Sequence, residues 1–264
     1  MTTGTTMGRT TTIPLARAML GRELRASPTV LALVAACAAA AGAFGRHLAA
    51  RGLAPGGDVT PPPMSPDLLA DVVLWKLGGA LALPFVLAAA YLVIGRVSDD
   101  EADGWLAPLA AGGASRAEYL LAVVAGSASV TAVAHLLAAS AFAAGVATVS
   151  ARGVSDAMHA VLGVPPLILS AASYGAACVA IARRRGPALT LALVGVLLPA
   201  MTLTWLSAGA GIVTSRTVTR LFTLHLPPWS WSTRPGVMLQ HAIYSAVVLA
   251  LASPLARARL GRTP

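Results

Sequence analysis

An all-α polytopic membrane protein is the fold class that this sequence predicts, on three observations. Apolar residues make up 56% of the 264 and charged residues only 11%, less than half the ~25% usual in soluble domains. The apolar residues gather into runs of spanning length, about 20 residues each. The basic residues fall in short clusters between those runs. Despite a net charge of +9, this is a topology pattern and not the single patch that nucleic acid would require. A soluble enzyme, a disordered chain and a disulfide-stapled secreted domain are excluded together. Cys37 and Cys178 sit inside apolar runs without metal-ligand spacing, which sets aside zinc and thiol redox chemistry.

The elements follow in order. Residues 1–11, rich in Thr, read as a disordered tail, and 12–264 as a single transmembrane domain. In residues 12–27, Ile13, Ala16, Met19, Leu20 and Leu24 share one half of a helix, with Arg17, Arg22 and Arg25 on or toward the other. That pattern predicts an interfacial elbow helix lying flat before the first span. Six spans are expected, at about 29–48, 68–95, 119–149, 160–182, 187–211 and 237–256. The first is read as a retained span and not a cleaved signal, because its apolar run reaches spanning length behind a long n-region. With the N-terminus inside, the inner segments carry twelve Arg and the outer ones six, so both termini are expected in the cytoplasm. Arg183, Arg184 and Arg185 are the firmest anchor. The outer segment 212–236, with Trp229 and Trp231, suits the membrane interface or a re-entrant hairpin.

Between the second and third spans, residues 96–118 hold five of the ten acidic residues: Asp99, Asp100, Glu101, Asp103 and Glu118. Ser98 with Glu101 three residues on has capping-box spacing. On that reading a helix starts at Ser98, with Asp99 and Asp100 at its positive end. Trp105, Leu106 and Leu109 would form its apolar face, and Gly112–Gly113 would end it. An exposed Trp–Leu face beside acids is a docking surface for a cytosolic partner.

This arrangement resembles the permease subunit of ABC exporters of the ABC-2 type. Arg22-Glu23-Leu24 is similar to the stretch such permeases carry on the elbow helix. Asp100, Glu101, Gly104, Leu106, Leu109, Ser115-Arg116 and Tyr119 are similar to their segment between spans two and three. The resemblance implies that this segment is a coupling helix contacting an ATP-binding subunit. It makes Asp100, Glu101, Gly104, Trp105, Leu109, Ser115 and Arg116 the coupling residues. It also implies a second permease copy or paralogue, and export of cargo from a bacterial inner membrane. A small amphipathic or drug-like compound is the expected cargo, since no large outer domain is seen. The only Lys, Lys76, is followed by Leu77, so no Walker A loop exists. This chain is therefore expected to bind no cofactor and to be no enzyme, with ATP and Mg²⁺ held by the partner subunit.

Two other readings share these residues. Asp99–Asp103 spells Asp-Asp-x-x-Asp, which is similar to the Mg²⁺-diphosphate motif of intramembrane prenyltransferases; oxygen ligands suit Mg²⁺, but no second acidic wall follows. A non-transporting membrane scaffold could recruit another protein through the same segment. Serine chemistry with His135 or His241 near Ser129, Ser140 or Ser245 lacks a nucleophile elbow. His135, inside the third span, is either a satisfied core histidine or part of a transport pathway.

Overall fold

The computed structural model describes residues 18, 21–22, 39, 43, 66–105, 115–147, 163–182, 184–195 and 235–260. Among them every regular element is helical: α1 (Pro66–Ala102), α2 (Arg116–Ala147), α3 (Pro165–Ala182), α4 (residues 185–195) and α5 (Pro235–Leu260). Three stretches, Arg116–Phe142, Pro165–Ala182 and Met238–Leu255, are long and apolar enough to cross a membrane, which indicates a membrane-embedded protein. They coincide with the third, fourth and sixth expected spans. Of the first span only Ala39 and Ala43 are described, and of the elbow only Ala18, Gly21 and Arg22; all five are helical. The rest of both, the side chain of Lys76, Leu109, and nearly all of 212–236 lie outside the described residues.

α3 is the central helix, packed against α1, α2 and α5. Its sequence is apolar on every side, and a helix of that kind is stable only when surrounded. Accordingly Leu167, Ile168, Ala171, Ala172, Ala176 and Val179 are all buried. Apolar side chains gain little by leaving lipid for a helix interface, so close contact between small residues must hold such a bundle together. The α1–α3 crossing shows this. A Cβ placed on Gly175 would lie 2.8 Å from the Ala90 carbonyl oxygen and 2.9 Å from its Cα, so the backbones meet where only glycine fits. From that crossing the two helices run in the same direction, because Asp99 beyond Ala90 meets Arg185 beyond Gly175.

α5 is the outer helix. Leu239, Ile243, Val247 and Leu251 recur every four residues on an exposed face, a surface suited to acyl chains. His241, Ser245 and Ala252 form the buried face.

α1 continues past the expected end of its span near Gly95, straight through Ser98 to Ala102. The separate helix expected to start at Ser98 is therefore not formed there. The reason lies in α1's buried stripe: Val86, Ala89, Ala90, Val93, Ile94, Val97 and Asp100 keep helical spacing across the supposed boundary. The capping box instead opens α2. The Ser115 amide donates to Glu118 Oε2 at 2.8 Å, and the Glu118 amide donates to Ser115 Oγ at 3.2 Å.

Candidate functional site: a buried carboxylate at the charged end of the bundle

The site begins with how α1 stops. Gly104 has φ +71°, the left-handed conformation that glycine adopts without strain. Its amide donates to the Glu101 carbonyl at 3.3 Å and the Trp105 amide donates to the Asp100 carbonyl at 2.9 Å. Together these bonds make a Schellman motif, with Gly104 at C′ and Trp105 at C″. Asp99, Asp100, Glu101 and Asp103 thus sit at the negative end of a helix, the reverse of the expected placement at a positive one. The macrodipole disfavours acids there, so their stability depends on cations brought from elsewhere.

Two arginines supply them. Asp100 is completely buried, and Arg22 Nη1 lies 2.7 Å from its Oδ1, close in distance though without hydrogen-bond alignment. The Tyr119 hydroxyl, four residues into α2, donates to Asp100 Oδ2 at 2.8 Å. The Arg22 guanidinium also lies over the Trp105 ring, 5.3 Å from its centroid. One step round the helix, Arg185 Nη1 donates to Asp99 Oδ1 at 3.2 Å. Its Nη2 donates to the Tyr91 hydroxyl at 2.9 Å, with the guanidinium 5.5 Å from that ring's centroid. Four segments distant in sequence are therefore pinned at one end of the bundle: the Arg22 helix, the end of α1, the start of α2 and the start of α4.

The expected coupling residues divide accordingly. Asp100 points inward as the anchor. Glu101, Asp103, Gly104 and Trp105 are exposed beside it, Trp105 by 52%. Ser115 caps α2 and Arg116 is its first residue. Arg22 and Tyr119, both named by the resemblance but left out of the coupling assignment, are the partners of Asp100. What the sequence did not reveal is that they meet on one carboxylate.

The same geometry bears on the Asp-Asp-x-x-Asp reading of Asp99–Asp103. Adjacent helical residues point about 100° apart, and the Asp99 and Asp100 carboxylates are drawn to different arginines on different elements. They do not converge on one cation. Among the described residues no group of three or more His, Cys, Asp or Glu side chains is placed to hold a metal.

A second polar cluster joins α3 to α5. Ser170 Oγ lies 3.0 Å from His241 Nδ1 and 3.3 Å from Ser245 Oγ, and can also donate to the carbonyls of His241 at 3.3 Å and Pro166 at 3.2 Å. Ser245 Oγ donates to the His241 carbonyl at 2.8 Å. Sequence reasoning named His241 and Ser245 but missed Ser170, which sits inside an unbroken apolar run. The Ser170 hydroxyl, buried between two helices with four polar atoms in reach, stitches α3 to α5. Ser129 and Ser140 are exposed. His135 is buried, with its ring edge-on to Phe85 at 5.3 Å.

No protein-family model matches the chain, and no curated protein matches it either.

Proposed function

We propose that this chain is the permease subunit of an ATP-driven exporter of the ABC-2 type, working in a bacterial inner membrane with both termini in the cytoplasm. It would pair with a second permease copy or paralogue and with separate ATP-binding subunits that hold ATP and Mg²⁺. The cargo would be a small amphipathic or drug-like compound.

The observation that carries this reading is the joint at Asp100. One buried carboxylate ties the N-terminal Arg22 helix to α2 through Tyr119, while its neighbours Glu101 and Trp105 face outward. Force applied to the exposed Glu101–Trp105 surface would reach α1, α2 and the Arg22 helix together. That is what a subunit without its own Walker A loop needs if its energy arrives from another chain. His135 remains a candidate for the pathway.

The test is purification of the tagged chain from its native membrane in mild detergent, with mass spectrometry of what accompanies it. A Walker A ATPase in near-equal amount supports the reading, and its absence overturns it. In the reconstituted complex, replacing Glu101 and Arg116 together with Ala should leave assembly intact while ATP turnover no longer depends on cargo. Unchanged coupling would remove these residues from the contact.

A further inference from the structure

We propose that Ser127, Thr131 and His135 form an internal hydration site, holding a short file of water inside the helix bundle. The three residues recur every four positions on α2, and all are buried, at 0%, 3% and 1% exposure. Among the described residues only Thr131 is provided for: its Oγ1 donates to the Ser127 carbonyl at 2.7 Å. Ser127 Oγ and His135 Nδ1 have no hydrogen-bond partner among the described residues. A buried polar atom left unpaired is costly, and natural structures settle that cost with protein groups or ordered water.

The spacing suits water. Four residues of helix advance about 6 Å, close to two hydrogen bonds of about 2.8 Å end to end. One water then bridges Ser127 to Thr131, and a second bridges Thr131 to His135. Each finds at least two polar neighbours, the minimum a buried water needs. The hydroxyls of Ser127 and Thr131 are uncharged, so the site favours a neutral hydrogen-bonding guest. In the α3–α5 stitch, by contrast, the Ser170 hydroxyl finds its partners within the protein. Phe85, edge-on to His135, forms an apolar wall beside the file. Nothing here depends on the transport reading.

X-ray radiolytic footprinting of the unmodified full chain in lipid nanodiscs tests this, since radicals born from bound water mark the side chains beside it. Phe85 and Phe142 are both buried, at 8% and 3% exposure, and provide a comparison within one residue type. The expected result is labelling of His135 and Phe85 several-fold above Phe142. Labelling no heavier than that of Phe142 overturns the proposal. In a Ser127→Ala, His135→Leu variant, labelling of Phe85 should fall to the Phe142 level; labelling that persists there places the water elsewhere and also overturns it.

Discussion

Asp100 at the charged end and Ser170 in the α3–α5 stitch are equally buried, each with no exposed surface, yet their surroundings differ in kind. The carboxylate has two partners, Arg22 and Tyr119, and each comes from a distant part of the chain. The hydroxyl has four polar atoms in reach, one of them the carbonyl of Pro166 a single turn back on its own helix. A charge at a helix end holds elements together only while its counter-charge stays, and fails abruptly when that is removed. A shared hydroxyl is redundant, and loses little at any single change. The charged end therefore suits a joint that must stay connected, and the neutral stitch suits helices that only need to remain side by side.

The largest effect should come from removing the counter-charge. Arg22→Met keeps the apolar stem of the side chain and removes the cation 2.7 Å from the buried Asp100 carboxylate. Breaking one side of a buried pair costs about 3–5 kcal/mol, and Arg22's partial exposure of 33% places this case toward the lower end. Thermal unfolding in detergent should show a clear fall in Tm. Adding Asp100→Asn should recover most of it, since the uncompensated charge is then gone. Equal losses in the single and double variants would mean that Arg22 contributes through Trp105 alone.

Tyr119→Phe should rank second. It keeps the ring packed and deletes one donor to a carboxylate, a bond worth about 1.5–3 kcal/mol. Because Arg22 and Tyr119 share Asp100, their losses should not add. A double-mutant cycle on the two checks this, and strict additivity would mean that they act separately.

How much of this was legible without coordinates is clearest in two Ser-x-x-Glu stretches. Ser98–Glu101 and Ser115–Glu118 have the same capping spacing, and only the second caps a helix. The first lies in an apolar stripe that continues on helical period through Val97 to Asp100; the second follows Gly112–Gly113, which already break the chain's periodicity. Local spacing was readable, but the choice between the two depended on burial. Spans three, four and six were readable because unbroken apolar runs leave few alternatives. The Gly175–Ala90 crossing was not, since one glycine among 25 gives no sign of which backbone it meets. Likewise the burial of Asp100 leaves no sign in the local sequence, because its partners Arg22 and Tyr119 lie 78 and 19 positions away.

On the other side of the comparison, Ser170→Ala should cost little. Interhelical hydrogen bonds in membrane bundles average about 0.6 kcal/mol, and Ser245 keeps its bond to the His241 carbonyl when Ser170 is lost. The change in Tm should be the smaller part of that for Tyr119→Phe. A loss as large as that of Arg22→Met would mean that the stitch is not redundant, and that His241 depends on Ser170 alone.

The smallest effect belongs to the outer half of the charged end, and it separates burial from charge as the cause of the contrast. Asp99 and Arg185 form an ion pair of the same chemistry as Asp100 and Arg22, but their side chains are 53% and 43% exposed. Exposed pairs contribute roughly 0–1 kcal/mol. Asp99→Asn should therefore shift Tm slightly at low salt and not at all near 1 M, where the Debye length shrinks to about 3 Å. Arg22→Met should keep most of its effect over the same range, because salt does not reach a carboxylate with no exposed surface. If both losses fade together, Asp100 is reached by solvent and the joint is held by surface charge. If only Asp99→Asn fades, desolvation of one aspartate makes the charged end a joint, and the arginine on its exposed neighbour contributes alignment through Tyr91.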